Sequence, residues 1–231
     1  MDNSNNDFWV STSDLMAGLM IIFLFIAIAY MTEMKSIIDK VIYVTEGYQD
    51  TEESLYNELM KEFKDDLENW NAEIDSKTLS FIFKEPDVLF EKGEYAIKPL
   101  FQKILDDFFP RYADILKNDK FKNDVLAVRI EGHTSSEWTK ISTKKQAYLN
   151  NMNLSQLRAS NVLEHTLNTN LNGSYDWIRD RLQAVGYSSS KLKYNLKGNE
   201  DKHQSRRVEF KVVTNSQEKL HKLLRLTAKK V

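Results

Sequence analysis

The sequence predicts a single N-terminal transmembrane helix, a helical linker and a C-terminal α+β sandwich domain. Three observations carry this prediction. Residues 15–31 are apolar apart from Tyr30. A row of apolar residues with alternating spacings of three and four follows them. Beyond that row, short runs of β-type residues alternate with helical patterns, an order that is typical of α+β domains.

The transmembrane prediction rests on the length of the apolar run. Extended back to Val10, the run has 22 residues, or about 33 Å of helix, which matches a hydrocarbon core of about 30 Å. The segment before it carries Asp2 and Asp7 but no Lys or Arg, which disfavours a cleaved signal peptide. We therefore expect residues 1–32 to contain a retained anchor that crosses the membrane once.

Asp14 is the only charged residue between positions 8 and 32. A carboxylate in a transmembrane helix costs about 2.5–3.5 kcal/mol on insertion scales, so such a group usually faces a partner or an ion pathway. Gly18 lies one turn further along the same face, where a small residue lets a neighbouring helix approach closely. The alternative is that the helix starts at Leu15 and that Asp14 caps it from the aqueous side.

The predicted linker, residues 33–77, contains two helical patterns. The first is typical of a short coiled coil and predicts a parallel homodimer; the alternative is an amphipathic helix that lies on a neighbour or on the membrane surface. The second predicts another amphipathic helix in an acidic connector, with Gly47 as the joint between the two. The first pattern consists of Met34, Ile37, Val41, Val44 and Tyr48, and the second of Leu55, Leu59, Phe63, Leu67, Trp70 and Ile74.

The remaining chain predicts a mixed domain over residues 78–214 and a basic C-terminal helix within residues 215–231. The period of the apolar residues separates the strands from the helices. Strands are predicted at 79–83, 88–90, 125–131 and 207–213. Helices are predicted at 98–116, at 154–167 with Asn153 as the cap, at 175–185 and at 216–229.

The composition excludes several classes of function. The 32 basic and 34 acidic residues give a net charge of -2, so we expect no direct binding of nucleic acid. The absence of cysteine excludes disulfides, thiol catalysis and thiolate metal sites. The four histidines show no ligand spacing, and His133 is expected to form hydrogen bonds at a strand end. No nucleophile and base are combined in one motif, so we expect no enzyme, no metal and no cofactor.

Several motifs resemble known families, and they cover both halves of the chain. The stretches DVLFEKGEYAIKPLFQKILDDF at 87–108, RIEGHTSS at 129–136, NMNLSQLRASNVLEH at 151–165, LQAVGYS at 182–188 and SRRVEF at 205–210 resemble, in this order, the OmpA-like peptidoglycan-binding domain. The stretch WVSTSDLMAGLMIIFLF at 9–25 resembles the membrane helix of MotB-type stator subunits. The combination is most similar to the MotB-like subunits of Zorya anti-phage defence systems.

The stator resemblance implies a single-pass protein of the bacterial inner membrane, with a cytoplasmic N-terminus and a periplasmic C-terminal domain. Charge bias alone favours the opposite orientation, because the first basic residues, Lys35 and Lys40, follow the helix. The resemblance also implies a homodimer whose spans are surrounded by a ring of a multi-spanning MotA-like partner, the ZorA-like subunit in a Zorya system. Asp14 would then carry the translocated ion, a proton or sodium.

The OmpA-like resemblance implies a peptidoglycan site. In that family an Asp after GHT and an Arg in LSxxRA grip the zwitterionic end of a diaminopimelate side chain. Arg158 stands at the Arg position, Asn151 at the family's Asn and Thr134 at its Thr, but Ser135 replaces the Asp. We therefore expect peptidoglycan binding that is weaker than in Asp-bearing relatives, with Glu137 as an alternative source of negative charge.

Two arginine assignments stay open at this point. Without the motif, Arg158 on a helix would more often pair with Glu131 or Glu164 than bind a ligand. Of Arg206 and Arg207, one is expected to support the pocket and the other to form an ion pair at the edge of the core. The pocket assignment falls on Arg206.

Three functions are compatible with these features. The first is an ion-driven, wall-anchored motor subunit of phage defence. The second is a flagellar stator subunit. The third is a passive envelope tether in which Asp14 only stabilises a helix dimer.

Overall fold

The structure is a computed structural model that describes residues 3–84, 89–139, 141–171 and 173–215. Within the first helix it describes the side chains at 12–39, 42 and 51–63. The chain divides into two compact units, one ending at Tyr48 and the other beginning at Gln49. The predicted helix at 216–229 and position 88 of the predicted strand at 88–90 lie outside the described residues.

Helix α1, Asn3–Phe63, contains the segment Thr12–Asp39, which has a mean hydropathy of 2.4 and is long and apolar enough to cross a membrane. Most of its large apolar side chains from Leu15 to Ile42 are between 44% and 75% exposed, whereas Ile37 is half-buried. The exposed ones require lipid or a protein partner as their surroundings. The predicted joint at Gly47 is wrong, because the helical backbone continues through that position. No helix breaker other than this glycine lies nearby, and one glycine costs only about 1 kcal/mol in a helix.

The C-terminal turns of α1 belong to the core of the second unit. Leu55, Leu59 and Phe63 are at most 1% exposed. The predicted helix over 55–74 is wrong beyond Phe63, because turns follow and strand β1, Ala72–Asp75, begins in its place. Asn71 enters this strand with a φ of 47°, a left-handed conformation that Asn tolerates and that ends a helix.

A five-stranded sheet organises the second unit in the order β1-β2-β5-β3-β4. The central strand β5 is antiparallel to both of its neighbours, β2 and β3, whereas β4 pairs in parallel with β3. Phe210 on β5 stands between Phe81 on β2 and Ile130 on β3 in this register. The strands other than β1 are β2, Ser80–Lys84, β3, Val125–His133, β4, Leu182–Gly186, and β5, Arg207–Thr214.

Among the described residues, this unit also contains two long helices, α2 and α3, and two short ones, α4 and α5. Helix α3 begins ten residues before the predicted start, because a capping box at Thr143 and Gln146 starts it instead of Asn153. The predicted helix at 175–185 is wrong in its second half, which forms strand β4. The helices are α2, Pro99–Lys117, α3, Lys144–Leu167, α4, Tyr175–Arg179, and α5, Lys202–Ser205.

The core is built on aromatic rings. Phe108 on α2 lies 4.5 Å from Phe81 on β2 and 5.1 Å from Phe210 on β5, measured between ring centroids. Phe63 of α1 lies 5.3 Å from the same Phe108. These rings are fully buried, and such pairs contribute about 0.5–1.5 kcal/mol each beyond their buried area. The chain therefore folds as a mixed α/β sandwich, as predicted, with an additional edge strand.

Candidate functional site

One cavity of about 450 Å³ brings together the five residues predicted for the peptidoglycan site. It lies beyond the C-terminal end of β3, against α3. The other lining residues come from the turn at 92–93, from the loop after β3 and, in the case of Leu154, from α3. The lining consists of Lys92, Gly93, Thr134, Ser135, Glu137, Trp138, Thr139, Asn151, Leu154, Arg158 and Arg206.

The loop that carries Thr134 and Ser135 is held by main-chain and side-chain hydrogen bonds. The Thr134 amide donates to the Ser188 carbonyl at 2.9 Å. Asn151 Nδ2 on α3 donates to the carbonyls of Ser135 at 3.2 Å and Glu137 at 3.0 Å. Asn151 is 3% exposed, and its two bonds fix the loop against the helix. In this structure the amide group of Asn151 positions the loop.

Glycine at position 132 allows this loop to approach α3. A Cβ atom there would lie 2.3 Å from the Ser155 carbonyl oxygen on the helix backbone. Gly186 on β4 is similarly close, since its Cβ would lie 2.5 Å from the Gln156 amide nitrogen. Contacts below 3.0 Å are not tolerated between backbones. The glycines in EGH and VGY are therefore required for close packing of the sheet against α3.

Arg158 is 7% exposed and is anchored to the turn opposite its helix. Its Nε donates to the Glu94 carbonyl at 2.8 Å and its Nη2 to the Glu91 carbonyl at 3.2 Å. The guanidinium carbon lies 4.7 Å from the centroid of the Phe90 ring, within the range of a cation–π contact. These contacts fix the orientation of the guanidinium group that lines the cavity. A fixed guanidinium suits recognition of a carboxylate.

The charged residues that line the cavity are mostly cationic. Lys92, Arg158 and Arg206 face one described carboxylate, that of Glu137. Glu137 forms an ion pair with Lys202. This hydrogen bond and charge hold the pKa of Glu137 below its ordinary value. The cavity is therefore suited to a ligand with an anionic group.

A buried charged cluster lies on the adjacent strands β3 and β5, and sequence reasoning did not find it. Glu131, His133, Arg207 and Glu209 are each at most 8% exposed. Arg207 Nε donates to Glu209 Oε1 at 2.6 Å, and His133 Nε2 lies 3.5 Å from Glu131 Oε2 and 3.7 Å from Glu209 Oε1. Lys191 adds a second cation 3.4 Å from Glu131 Oε2. The sequence signal is the cross-strand register, which pairs Glu131 with Glu209 and His133 with Arg207.

Glu131, His133 and Glu209 have ligand atoms close enough to hold a metal ion. Arg207 and Lys191 already neutralise the two carboxylates, so the cluster balances its charge without one. Burial lowers the pKa of His133 below 6.5, which keeps the imidazole neutral near pH 7. Burial alone would raise the pKa of Glu131, but His133 and the charge of Lys191 outweigh it and hold that pKa below 4.5.

The structure places the two arginines at 206 and 207 in different surroundings, and the role of Arg206 in binding stays a prediction. Arg206 lines the cavity, and Arg207 pairs with Glu209. Asp14 lies in the other unit, on α1, where its side chain is exposed. A Cβ atom added to Gly18 would meet nothing within 4 Å. This face of the helix therefore has room for a partner.

Comparison with known proteins matches both parts of the chain. The chain is 45% identical over 223 residues to the Zorya protein ZorB of Escherichia coli (strain Crooks), and the match covers 96% of this chain and 94% of that protein. The OmpA family model matches residues 89–207. The family match therefore includes the strands, the helices and the loops that form the cavity.

Comparison with solved structures concerns the fold of the second unit. A MotB-like protein from Desulfovibrio vulgaris has a TM-score of 0.52 at 20% identity, over 74% of this chain and 98% of that chain. The periplasmic domain of Helicobacter pylori MotB has a TM-score of 0.41 at 20% identity, over 63% of this chain and 83% of that chain. The first of these likenesses shows a shared fold.

Proposed function

The chain belongs to the ZorB family and contains an OmpA-family domain, and from this premise we propose that it anchors an ion-driven inner-membrane motor to peptidoglycan in anti-phage defence. Its domain architecture is that of a stator-like anchor, because an apolar N-terminal helix is followed by a MotB-like domain. The observation that carries the proposal is the cavity in which Thr134, Ser135, Asn151, Arg158 and Arg206 meet.

The anchoring role follows from the chemistry of the cavity. Arg158 presents a fixed guanidinium group, and a charge-assisted bond to a carboxylate contributes about 1.5–3 kcal/mol. Peptide stems of the cell wall carry such carboxylates. The hydroxyl groups of Thr134 and Ser135 add partners for neutral polar groups of the same stem.

The motor role rests on Asp14 and on the family. Asp14 is the one carboxylate in the apolar part of α1, and an ionisable group inside a span usually belongs to an ion pathway. Two copies of the chain, with α1 inside a ring of a multi-spanning MotA-like or ZorA-like subunit, would cover the exposed apolar side chains of this helix. In this arrangement the N-terminus is cytoplasmic and the second unit is periplasmic.

Binding to isolated cell-wall sacculi tests the anchoring role. The detergent-solubilised full chain is expected to sediment with sacculi, and Arg158→Ala is expected to weaken this binding about 10-fold to 100-fold. Arg129→Ala is the matched control, because Arg129 lies on β3 and bonds to Gln183 at 3.3 Å outside the cavity. Circular dichroism checks that each variant is folded. Binding that is unchanged in Arg158→Ala would remove the cavity from the proposal.

Phage challenge tests the motor role. Cells that carry Asp14→Asn are expected to lose protection while the protein stays at its normal level in the membrane. Asp39→Asn is the control, since it removes a carboxylate from the same helix beyond the apolar run. Full protection with Asp14→Asn would contradict the motor and favour a passive tether. Rescue of swimming in a stator-deficient strain, without protection against phage, would favour a flagellar stator.

A further inference from the structure

Trp138 is an exposed aromatic residue in the wall of the cavity. Its side chain lines the cavity together with those of Ser135 and Arg158. Ser135 is 6% exposed and Arg158 is 7% exposed, whereas Trp138 is 39% exposed. The indole ring of Trp138 therefore belongs to the open side of the cavity, where an entering ligand can contact it.

The backbone on both sides of Trp138 is held in place by hydrogen bonds. The carbonyl of Glu137, the residue before it, accepts a hydrogen bond from Asn151 Nδ2 at 3.0 Å. The carbonyl of Thr139, the residue after it, accepts one from the Ser142 amide at 3.2 Å. Because this backbone is already fixed, less conformational entropy is lost when a ligand binds to the residue.

Trp138 differs in its cation contacts from the other two tryptophans of this unit. The guanidinium carbon of Arg111 lies 5.9 Å from the centroid of the Trp70 ring, and that of Arg181 lies 4.5 Å from the centroid of the Trp177 ring. In the part of the chain that the structure describes, no cation lies over the ring of Trp138. The face of this indole is therefore available to a cation from a ligand.

Two carboxylates beside the same loop already have partners within the chain. Glu137 forms an ion pair with Lys202. Glu200 accepts hydrogen bonds from the amide of Ser136, at 2.9 Å, and from its hydroxyl group. A ligand ammonium would have to compete with these groups for either carboxylate. The indole face offers it a contact without such competition.

We propose that Trp138 binds the ammonium group of a stem-peptide diamino acid through a cation–π contact, while Arg158 binds a carboxylate of the same residue. Of the aromatic side chains, Trp attracts a cation over its ring most strongly. This inference rests on the proposed function, since it names the group of the wall peptide that the same site recognises and the residue that recognises it. Because a cross-link converts this amine into an amide, Trp138 would direct the chain to stems whose amine is not cross-linked.

Chemical acetylation of sacculi removes the ammonium group and tests its contribution. Acetic anhydride converts the free amines of the wall to neutral amides and leaves the carboxylates in place, and mock-treated sacculi keep the ammonium groups. The detergent-solubilised full chain is titrated against both materials by sedimentation. Wild type is expected to bind mock-treated sacculi about threefold to tenfold more tightly than acetylated ones.

Variants at position 138 assign this preference to the indole ring. Trp138→Leu keeps an apolar side chain without a π face, and we expect it to lose the preference by weakening binding to mock-treated sacculi alone. Trp138→Phe keeps a weaker π face and is expected to retain part of the preference. Tyr194→Leu is the matched control, because it removes an exposed ring that does not line the cavity, and we expect it to bind like wild type. Circular dichroism checks that each variant is folded.

The outcomes distinguish this inference from the proposed function. Wild type that binds both materials equally overturns the inference while peptidoglycan binding stands. If Trp138→Leu weakens binding to both materials equally, the ring packs against a neutral part of the wall, and the inference is wrong. If Trp138→Leu binds both materials like wild type, another residue recognises the ammonium, which also overturns it. Wild type that binds neither material contradicts the proposed function and, with it, the inference.

Discussion

Arg206 and Arg207 are adjacent in the chain, yet they belong to two different sites, a buried cluster and a cavity. Arg207 lies in the buried cluster on β3 and β5, where its guanidinium bonds to the carboxylate of Glu209. Arg206 lines the cavity beyond the end of β3. The alternation of side chains along an extended strand sends consecutive residues to opposite faces. One dipeptide therefore serves both sites.

We expect the buried cluster to contribute to folding and the cavity to contribute to binding. The cluster combines Glu131 and Glu209 with Arg207 and Lys191 around a neutral His133, so its charges compensate one another inside the domain. The cavity of about 450 Å³, by contrast, leaves room for a ligand beside the guanidinium group of Arg158. We therefore expect changes in the cluster to act on stability and changes in the cavity to act on binding.

The largest expected effect comes from Arg207→Met. Removing one partner of a buried ion pair leaves the other charge uncompensated and typically costs about 3–5 kcal/mol of unfolding free energy. Arg206→Met is the matched variant one residue away, and we expect it to lower the unfolding free energy by about 1 kcal/mol or less but to weaken binding to sacculi. Chemical unfolding and sacculus sedimentation of both variants test this. Equal losses of stability would erase the distinction between the two sites.

A slightly smaller effect is expected from Gly132→Ala, which disturbs both sites at once. Its Cβ would lie 2.3 Å from the Ser155 carbonyl oxygen, so β3 and α3 must move apart, and such overpacking typically costs about 1–3 kcal/mol. Gly198→Ala is the contrast, because its Cβ meets nothing within 4 Å and the cost arises only from a φ of +77°. Thermal unfolding is expected to show the greater loss for Gly132→Ala.

The pattern of residues predicted most of the fold, and its errors have physical causes. The strands at 125–131 and 207–213 and the helix at 98–116 were predicted within one or two residues, because their apolar faces are long and regular. Strand β1 was missed because Ile74 fits the helical spacing of the preceding pattern, and only its pairing with Phe81 on β2 makes it a strand. Long-range pairing of this kind leaves no local periodicity.

The residues of the candidate site that belong to a motif were predicted. Those that only the tertiary fold brings to the site were missed. The motifs led to Arg158 and Asn151, which line the cavity. Lys92, Glu137 and Trp138 lie on a turn and a loop, and Lys202, the ion-pair partner of Glu137, lies on the short helix α5. The proximity of these elements depends on the whole sheet. Sequence periodicity carries no information about such contacts. The role of the five predicted residues in binding stays a prediction until the sacculus experiment is done.

Acidification should weaken the cluster before it affects the cavity. Because burial holds the pKa of His133 below 6.5, the unfolded chain binds this proton more readily, and the unfolding free energy falls as pH drops below 6.5. Glu131, with its pKa held below 4.5, adds a second loss as pH drops below that value. The variant His133→Phe keeps an aromatic ring against Tyr187 but has no imidazole to protonate. In this variant the loss of unfolding free energy below pH 6.5 should disappear. A His133→Phe curve that matches the wild-type pH dependence would contradict this assignment.

The smallest expected effect concerns Lys202→Gln, which removes the partner of Glu137 at the rim of the cavity. Both side chains of this ion pair are largely exposed, and exposed pairs contribute little to folding, so the unfolding midpoint should not change measurably. Glu137 would then be available to the cavity, and its carboxylate can attract a ligand ammonium. We therefore expect Lys202→Gln to strengthen binding to sacculi, by less than Arg158→Ala weakens it. Lys197→Gln serves as the control, since it removes an exposed lysine that is absent from the cavity lining. If Lys202→Gln and Lys197→Gln bind sacculi equally well, the pair of Glu137 with Lys202 has no part in ligand binding.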